Sequence, residues 1–349
     1  MINKGKNKLL ITLGLSVHRP EMVPAISDQM RRHEAIFLEE PPDAGFEAML
    51  AGHLAVKDYL AELDIEYPAF SQDMCYLLQE LRADGKHIFQ VEPFWEILLS
   101  IHEFFADGHQ PGELQKNTIQ YPVYLAERNA TRALMAYYQT VMTGSFDDTI
   151  RAIIRFARVD AARFGLRDSL RAQEIASMVK KYSSSYIEAG MMHYPMRRLL
   201  RQQLQPEDQV KVVFLADNVL KSPGPKSHLY SPGDQLTLLY IFHPGTLDSP
   251  RVRTLAARSI IYSKIVQKEE ATEDLHTFPH LRDELGCLRL ARLLSLKDCR
   301  RLFPMVRRAR SYEARGIVAE YLSGLMPQVD TNLKTKIERV NPENDSATV

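Results

Sequence analysis

The sequence predicts an α/β protein with a central, mixed but mostly parallel sheet, a long helical insertion and a helical C-terminal extension. Three observations carry this prediction. Short apolar runs alternate with helical stretches in the first third of the chain. Two long stretches with helical spacing follow, and the alternation then resumes as a second, similar half. The last third is mostly helical in pattern.

Strands are predicted where a short apolar, β-prone run lies between turn signals. The predicted strands are 8–15, 35–38, 87–91, 186–191 and 210–215. Helices are predicted between them because apolar residues recur there at helical spacing and prolines occupy first-turn positions. These helices are 21–32, 46–62, 71–83, 93–106 and 195–204.

The middle of the chain predicts a helical hairpin, since 114–143 and 146–181 carry helical spacing and are separated only by Gly144 and Ser145. We place this insertion at about 112–182. The last third predicts helices, at 250–270, 280–294 and 296–325. The predicted organisation is an α/β domain over 1–215, a mostly helical region over 216–327 and a flexible polar tail over 328–349.

Composition excludes several classes of protein. The 349 residues include 44 Lys plus Arg and 44 Asp plus Glu, so the net charge is zero, which argues against a general nucleic-acid or anionic-membrane binder. No run approaches the roughly 18 apolar residues of a membrane span. A nucleic-acid partner and a membrane span are therefore not expected, and a homo-oligomer remains open. A small-molecule or peptide substrate is expected only from the motifs and the resemblance described below.

The cysteines and the N-terminus bear on location. Cys75, Cys287 and Cys299 are sparse and odd in number, which is neither a disulfide framework nor a zinc ribbon. Lysines before the apolar run 9–15 mimic a signal peptide, but charge returns at once and no small-residue cleavage site follows. We therefore expect a cytoplasmic protein whose first apolar run is a buried strand.

Two segments of the sequence look alike. Gly14 precedes His18 at the end of the first predicted strand, and Gly190 precedes His193 at the end of the fourth. In both, a proline two residues after the His starts a helix. Ligands of parallel α/β sheets bind beyond the carboxyl ends of the strands, where His can act as a metal ligand or a general base. The pattern suggests an internal duplication that contributes one His from each half.

Carboxylates occupy the same kind of position. Glu39 and Glu40 end the second predicted strand and Glu92 ends the third. Two His with one or two Glu form a reasonable divalent-metal or acid–base set. The alternative is structural for each residue, and Glu92 in particular could simply begin a helix.

A row of arginines follows at helical spacing. Its members are Arg155, Arg158, Arg163, Arg167 and Arg171. This spacing favours a solvated or salt-bridged helix face. The alternative is a ridge over the crevice that binds an anion. Lysine and arginine residues between 297 and 315 form a basic cluster, which reads as the exposed side of packed helices or as a partner surface.

The order of these motifs resembles the TraB/Tiki/erythromycin-esterase superfamily, which also includes the haem-binding ChaN proteins and the GumN-like proteins. Gly190 to His193 matches its late Gly-x-x-His motif, Phe37-Leu38-Glu39 matches its strand-end Glu, and Arg167-Asp168 matches its helical Arg-Asp pair. The early motif departs, with three residues rather than two between Gly14 and His18. The resemblance spans residues 8 to about 215 and leaves 216–349 unplaced.

Members of that superfamily are metal-dependent peptidases, esterases, haem binders or peptide-pheromone regulators. The resemblance implies an amide- or ester-bond hydrolase in which His18, His193 and Glu39 hold zinc, manganese or cobalt, or serve acid–base catalysis without metal. Glu40 or Glu92 would share the role of Glu39. Arg167 would steady a substrate carboxylate or the developing oxyanion, and Asp168 is a further candidate site residue beside it. The alternatives are a non-catalytic carrier or regulator that binds haem or a peptide in the same crevice, and an interaction scaffold that uses the basic helices.

Overall fold

The computed structural model describes residues 8–220 and 229–325. Within them lies a five-stranded sheet with the strand order β3-β2-β4-β1-β5 and only parallel pairings. The strands are β1 (Leu10–Ser16), β2 (Ala35–Leu38), β3 (His87–Gln90), β4 (Ser184–Gly190) and β5 (Gln209–Phe214). All five predicted strands are confirmed to within two residues at each end, and the sheet is parallel throughout rather than mixed.

Helices make up most of the rest of these residues. They are α1 (Val23–Met30), α2 (Phe46–Leu50), α3 (Val56–Ala61), α4 (Pro68–Ala83), α5 (Pro93–Ala106), α6 (Gln120–Thr143), α7 (Phe146–Met178), α8 (Met196–Gln203), α9 (Leu215–Leu220), α10 (Pro232–Phe242), α11 (Pro250–Ile265), α12 (Pro279–Leu293), α13 (Leu296–Val306) and α14 (Ser311–Leu325). Short 3₁₀ turns occupy Pro20–Met22, Pro111–Glu113, Val179–Lys181, Met191–His193 and Leu275–Thr277. The α/β class, the helical insertion and the helical C-terminal part are thus confirmed.

Several helix predictions need correction. The helix expected over 114–143 begins at Gln120, the one expected over 250–270 ends at Ile265, and α9 was not predicted. The helix expected over 46–62 is two helices, because Gly52 adopts a φ of 73° after α2 and so ends it. The helix expected over 296–325 is also two, and the Glu313 side chain accepts the Arg310 N–H before α14. Helix α10 was not predicted, although Ser231 and Asp234 form a reciprocal capping box at its start.

Both faces of the sheet are covered, which explains the near-continuous apolar strands. On one face Leu13 and Ile187 pack against Ile175 of α7 and Leu200 of α8. On the other, side chains such as Tyr186 pack among α1, α4 and α12. A third core joins α6 and the first half of α7 to α10–α14, so the insertion and the C-terminal helices share one apolar interior.

Some predictions lie outside the described residues, which exclude 1–7, 221–228 and 326–349. The flexible tail expected at 328–349 is one of them. None of the helices in the described part is both long and apolar enough to cross a membrane.

Candidate functional site

The two look-alike segments meet at the carboxyl edge of the sheet. Strands β1 and β4 are neighbours, and Ser16 lies opposite Gly190 in their register. A Cβ added to Gly190 would lie 3.9 Å from Cε1 of His18 and 3.8 Å from Cδ2 of His193. The fold therefore brings both histidines to one side of the same glycine.

Gly14 does not take part in this site. It lies inside β1, opposite Glu188, and a Cβ there would collide with the ring of Tyr186, which packs directly over it. Gly14 is thus required by core packing. The register places Ser16, and not Gly14, at the position that Gly190 holds on β4, so the two glycines are not counterparts in the sheet.

Glu39 is the centre of the cluster. Its Oε1 lies 2.7 Å from Nη2 of Arg167 and 2.8 Å from Nε2 of His193, and its Oε2 accepts the Gly190 N–H at 2.6 Å. Burial opposes ionisation, but His193 and Arg167 outweigh it and hold the pKa of Glu39 well below its usual value. Glu39 is therefore ionised at neutral pH.

His193 is buried between two carboxylates. It is 2 % exposed, and its Nδ1 contacts Oδ1 of Asp168 while its Nε2 contacts Glu39. Burial lowers the pKa, but Glu39 and Asp168 overcome that effect and raise it to about 9. With an acceptor at each ring nitrogen, the imidazole is held as the cation. The ring of Phe164 packs 5.3 Å away.

His18 occupies the accessible side of the cluster. Its side chain is 32 % exposed, its Nε2 lies 3.0 Å from Oε1 of Glu188, and its ring stacks on Phe70 at 5.3 Å. Burial lowers the pKa of His18, but Glu188 and then Glu39 raise it to about 9. Glu188 also accepts the Glu39 N–H at 3.1 Å through Oε2. One carboxylate thus links the accessible His to the buried centre.

Glu188 was missed by the sequence analysis. It lies within β4, which was read only as a buried apolar strand. The available signal was a carboxylate two residues before the glycine of the late motif, because an ionised side chain in a buried strand needs a partner.

The last two arginines of the predicted row belong to the site. Arg167 donates from Nε to Glu92 at 3.0 Å as well as to Glu39. Arg171 is fully buried and donates to the backbone oxygens of Val91, at 2.8 Å, and of Glu188, at 2.7 Å. The salt-bridged part of the first reading holds for Arg163, which pairs with Asp160. It also holds for Arg167, which pairs with Glu39 and Glu92. The solvated part does not hold for Arg171, which is fully buried.

Of the other predicted residues, some belong to the cluster and others lie outside it. Glu92 precedes α5, but its side chain makes no cap hydrogen bond and turns to Arg167. Glu40 is exposed and accepts a hydrogen bond from Gln90 at 3.2 Å, beside the cluster rather than in it. Of the basic C-terminal side chains, Arg300 pairs with Asp147 at 2.7 Å and Arg315 with Asp283 at 2.6 Å, which favours the structural reading for these two.

The cluster is balanced in charge without any ligand. Four carboxylates face two guanidinium groups and two imidazoles, whose raised pKa values keep them protonated at neutral pH. The carboxylates belong to Glu39, Glu92, Asp168 and Glu188, and the cations to Arg167, Arg171, His18 and His193. Glu92 Oε1, Asp168 Oδ2 and Arg171 Nη1 are buried and have no hydrogen-bond partner among the described residues.

Comparison with known proteins gives one relative and no activity. The chain is 25% identical over 286 residues to an uncharacterized protein of Archaeoglobus fulgidus, a match that covers 82% of this chain and 94% of that protein. No family model matches the sequence. No solved structure matches it either.

Proposed function

We propose that this protein is a hydrolase of amide or ester bonds and that His18 is its general base. The observation that carries the proposal is a partly exposed imidazole, hydrogen-bonded to the carboxylate of Glu188, over a buried charged cluster at the carboxyl edge of a parallel sheet. A base oriented by a carboxylate at such an edge is a recurring arrangement of hydrolytic sites.

The chain's own residues supply the proton transfers. In the neutral ring, Nε2–H is held by Glu188, and His18 accepts a proton from the attacking water at the other ring nitrogen, Nδ1, and then delivers that proton to the leaving oxygen or nitrogen. Glu188 orients the imidazole and stabilises its cation at 3.0 Å. His193, Asp168 and Arg167 fix Glu39 and do not meet substrate, because all of them are buried or nearly so. They are positioning residues.

A divalent cation fits the donor set in type and spacing. His18, Glu39 and Glu188 each offer a ligand atom, and these atoms lie within 4.8 Å of one another. Glu39 would have to give up one of its present contacts, whereas His18 and Glu188 need only give up each other. Zinc, manganese or cobalt held there would polarise the carbonyl and lower the pKa of bound water.

The pH profile distinguishes the two forms of the proposal. With His18 as the base and no metal, kcat/KM should rise about tenfold per pH unit up to about pH 9, because only the neutral imidazole accepts a proton. A bound cation would replace that proton and would lower the pKa of its water to about 7, so the profile should level off near neutral pH instead of near pH 9. The first test measures ester and amide hydrolysis from pH 6 to 10, with EDTA and with each metal. The second test is elemental analysis of untagged protein and of a His18→Ala/His193→Ala variant.

A second candidate is a ligand carrier or regulator on the same crevice. It is favoured by the internal charge balance and by the contacts that already occupy Glu39. Under this proposal His18, stacked on Phe70, contacts haem or a peptide without chemistry. Saturable haem uptake with a Soret band, lost in His18→Ala, together with no hydrolysis at any pH, would decide for it.

The meeting of the motifs also supports our proposal that the chain is a divergent member of the TraB/Tiki/erythromycin-esterase superfamily. Gly190, His193, Glu39 and the pair Arg167-Asp168 were singled out by that resemblance, and they lie in mutual contact. We further propose a cytoplasmic location, which the three buried, free cysteines support.

A further inference from the structure

A large cavity lies beside the charged cluster, among helices α6, α7, α10 and α11. Its volume is about 690 Å³, within the range that holds small-molecule ligands. Tyr137, Ile153, Phe156 and Leu236 are among the side chains that line it, so its body is apolar and aromatic. Such a cavity fits a hydrocarbon chain better than a polar metabolite.

The opening of the cavity is on the surface of the hairpin. Tyr138 and Met142 both line it and are 53 % and 49 % exposed. They lie four residues apart on α6 and so share one face of that helix. Exposed apolar residues around a cavity mouth are typical of an entrance for an apolar ligand.

Two lysines provide positive charge in the lining of the cavity. Lys264, in the last turn of α11, is half-buried and Lys268 is exposed, and both line the cavity. Neither forms a hydrogen bond or ion pair with any residue in the described part of the chain. Burial and the charge of Lys268 lower the pKa of Lys264, so the charged form of Lys264 is disfavoured. An anion placed between the two lysines would offset their mutual repulsion.

The acidic residues of the cavity already have partners. Asp160 accepts two hydrogen bonds from Arg163, at 3.0 and 2.8 Å. Asp234 accepts the Ser231 N–H at 2.8 Å as part of the cap of α10. The unsatisfied charge of the cavity is therefore positive.

We propose that this cavity binds a single-chain alkyl carboxylate, with the hydrocarbon among the aromatic side chains and the carboxylate between Lys264 and Lys268. This site goes beyond the proposed hydrolase and stands whether or not the His18 cluster is catalytic. The two are neighbours, because Phe164 lines the cavity and its ring lies 5.3 Å from that of His193.

The test is calorimetric titration of the full chain with octanoate, decanoate and decylammonium below their micellar concentrations. Decanoate should bind with one-to-one stoichiometry and about fifteenfold more tightly than octanoate, since each buried CH₂ contributes a factor of about four. Decylammonium, which has the same chain and the opposite charge, should bind at least tenfold more weakly, on the order expected for one charge-assisted hydrogen bond.

Two variants locate the site. Lys264→Met should weaken decanoate about tenfold through the lost ion pair, and Met142→Glu should weaken it by placing a negative charge at the exposed mouth. Lys181→Met, an exposed lysine beyond α7, is the matched control and should change nothing. Thermal unfolding of each variant verifies that it is folded.

The proposal is overturned if decylammonium binds as tightly as decanoate or more tightly, because the charge of Lys264 and Lys268 would then not determine which ligand binds. It is equally overturned if decanoate fails to bind, or binds the parent and Lys264→Met alike.

Discussion

Raising the pH from 7 to 8.5 should destabilise the folded chain through the buried imidazole of His193. Contacts with Glu39 and Asp168 raise its pKa from 6.5 to about 9, against the effect of burial. The folded state therefore holds a proton that the unfolded state has released, and the free energy of unfolding falls as pH rises through this window. With those two pKa values the fall between pH 7 and 8.5 is about 1.7 kcal/mol for His193 alone.

The assay is urea unfolding of metal-free protein at several pH values in this window. The pH is kept at or below 8.5 because the three cysteines also make stability fall at higher pH. Burial raises the pKa of the Cys75, Cys287 and Cys299 thiols to about 12 in the folded chain, so the free energy of unfolding falls once these thiols ionise in the unfolded chain. His193→Gln should be less stable at pH 7 and should lose about half of the pH dependence, because His18, whose pKa is also raised to about 9, contributes the other half. His102→Gln, at an exposed position of α5, should keep it. A parent whose stability is unchanged between pH 7 and 8.5 would refute the assignment of His193 as a buried cation.

Three further outcomes follow from the site. Gly190→Ala should fold, because the φ of Gly190 is −64° and an added Cβ would meet its neighbours at ordinary contact distances. The added methyl group would fill the space between the two histidines and should reduce hydrolysis. Gly165→Ala is the control and should not change hydrolysis, because an added Cβ there meets nothing within 4 Å. Arg171→Leu should lower the free energy of unfolding by about 3–5 kcal/mol, measured in urea, because it leaves buried carboxylates uncompensated; the exposed Arg155→Leu should cost less than about 0.5 kcal/mol. Binding of zinc should release about one proton per metal near pH 7.5, detected by calorimetry in buffers of different ionisation enthalpy, because the cation takes the place of the proton on His18; equal heats in all buffers would contradict this.

The strands could be predicted because burial on both faces leaves an unambiguous sequence signal. Residues 35–38 and 87–91 are short apolar runs closed by prolines, and the fold places them together as β2 and β3. Helix ends were less predictable. The break after α2 depends on the positive φ of Gly52, a backbone conformation that the apolar spacing over 46–62 does not reveal.

The candidate site was predictable in part for the same physical reason. Residues that end parallel strands share one edge, so His18, Glu39 and His193 could be expected near one another. Glu188 and Arg171 could not be found in that way. Each lies inside a regular element, and only the packing of α7 across the sheet shows that Arg171 is buried against the carbonyl oxygen of Glu188.

The kinetics of His18→Gln decide whether His18 is the general base of a hydrolase. A panel of nitrophenyl esters and peptide amides is assayed with the parent, with His18→Gln and with His102→Gln, each with EDTA and with added zinc, manganese or cobalt. We expect hydrolysis by the parent and by His102→Gln. For His18→Gln we expect a loss of at least about 100-fold in kcat/KM, which is the contribution typical of a general base. Equal rates for the parent and His18→Gln, or no hydrolysis of any substrate under any of these conditions, would contradict it.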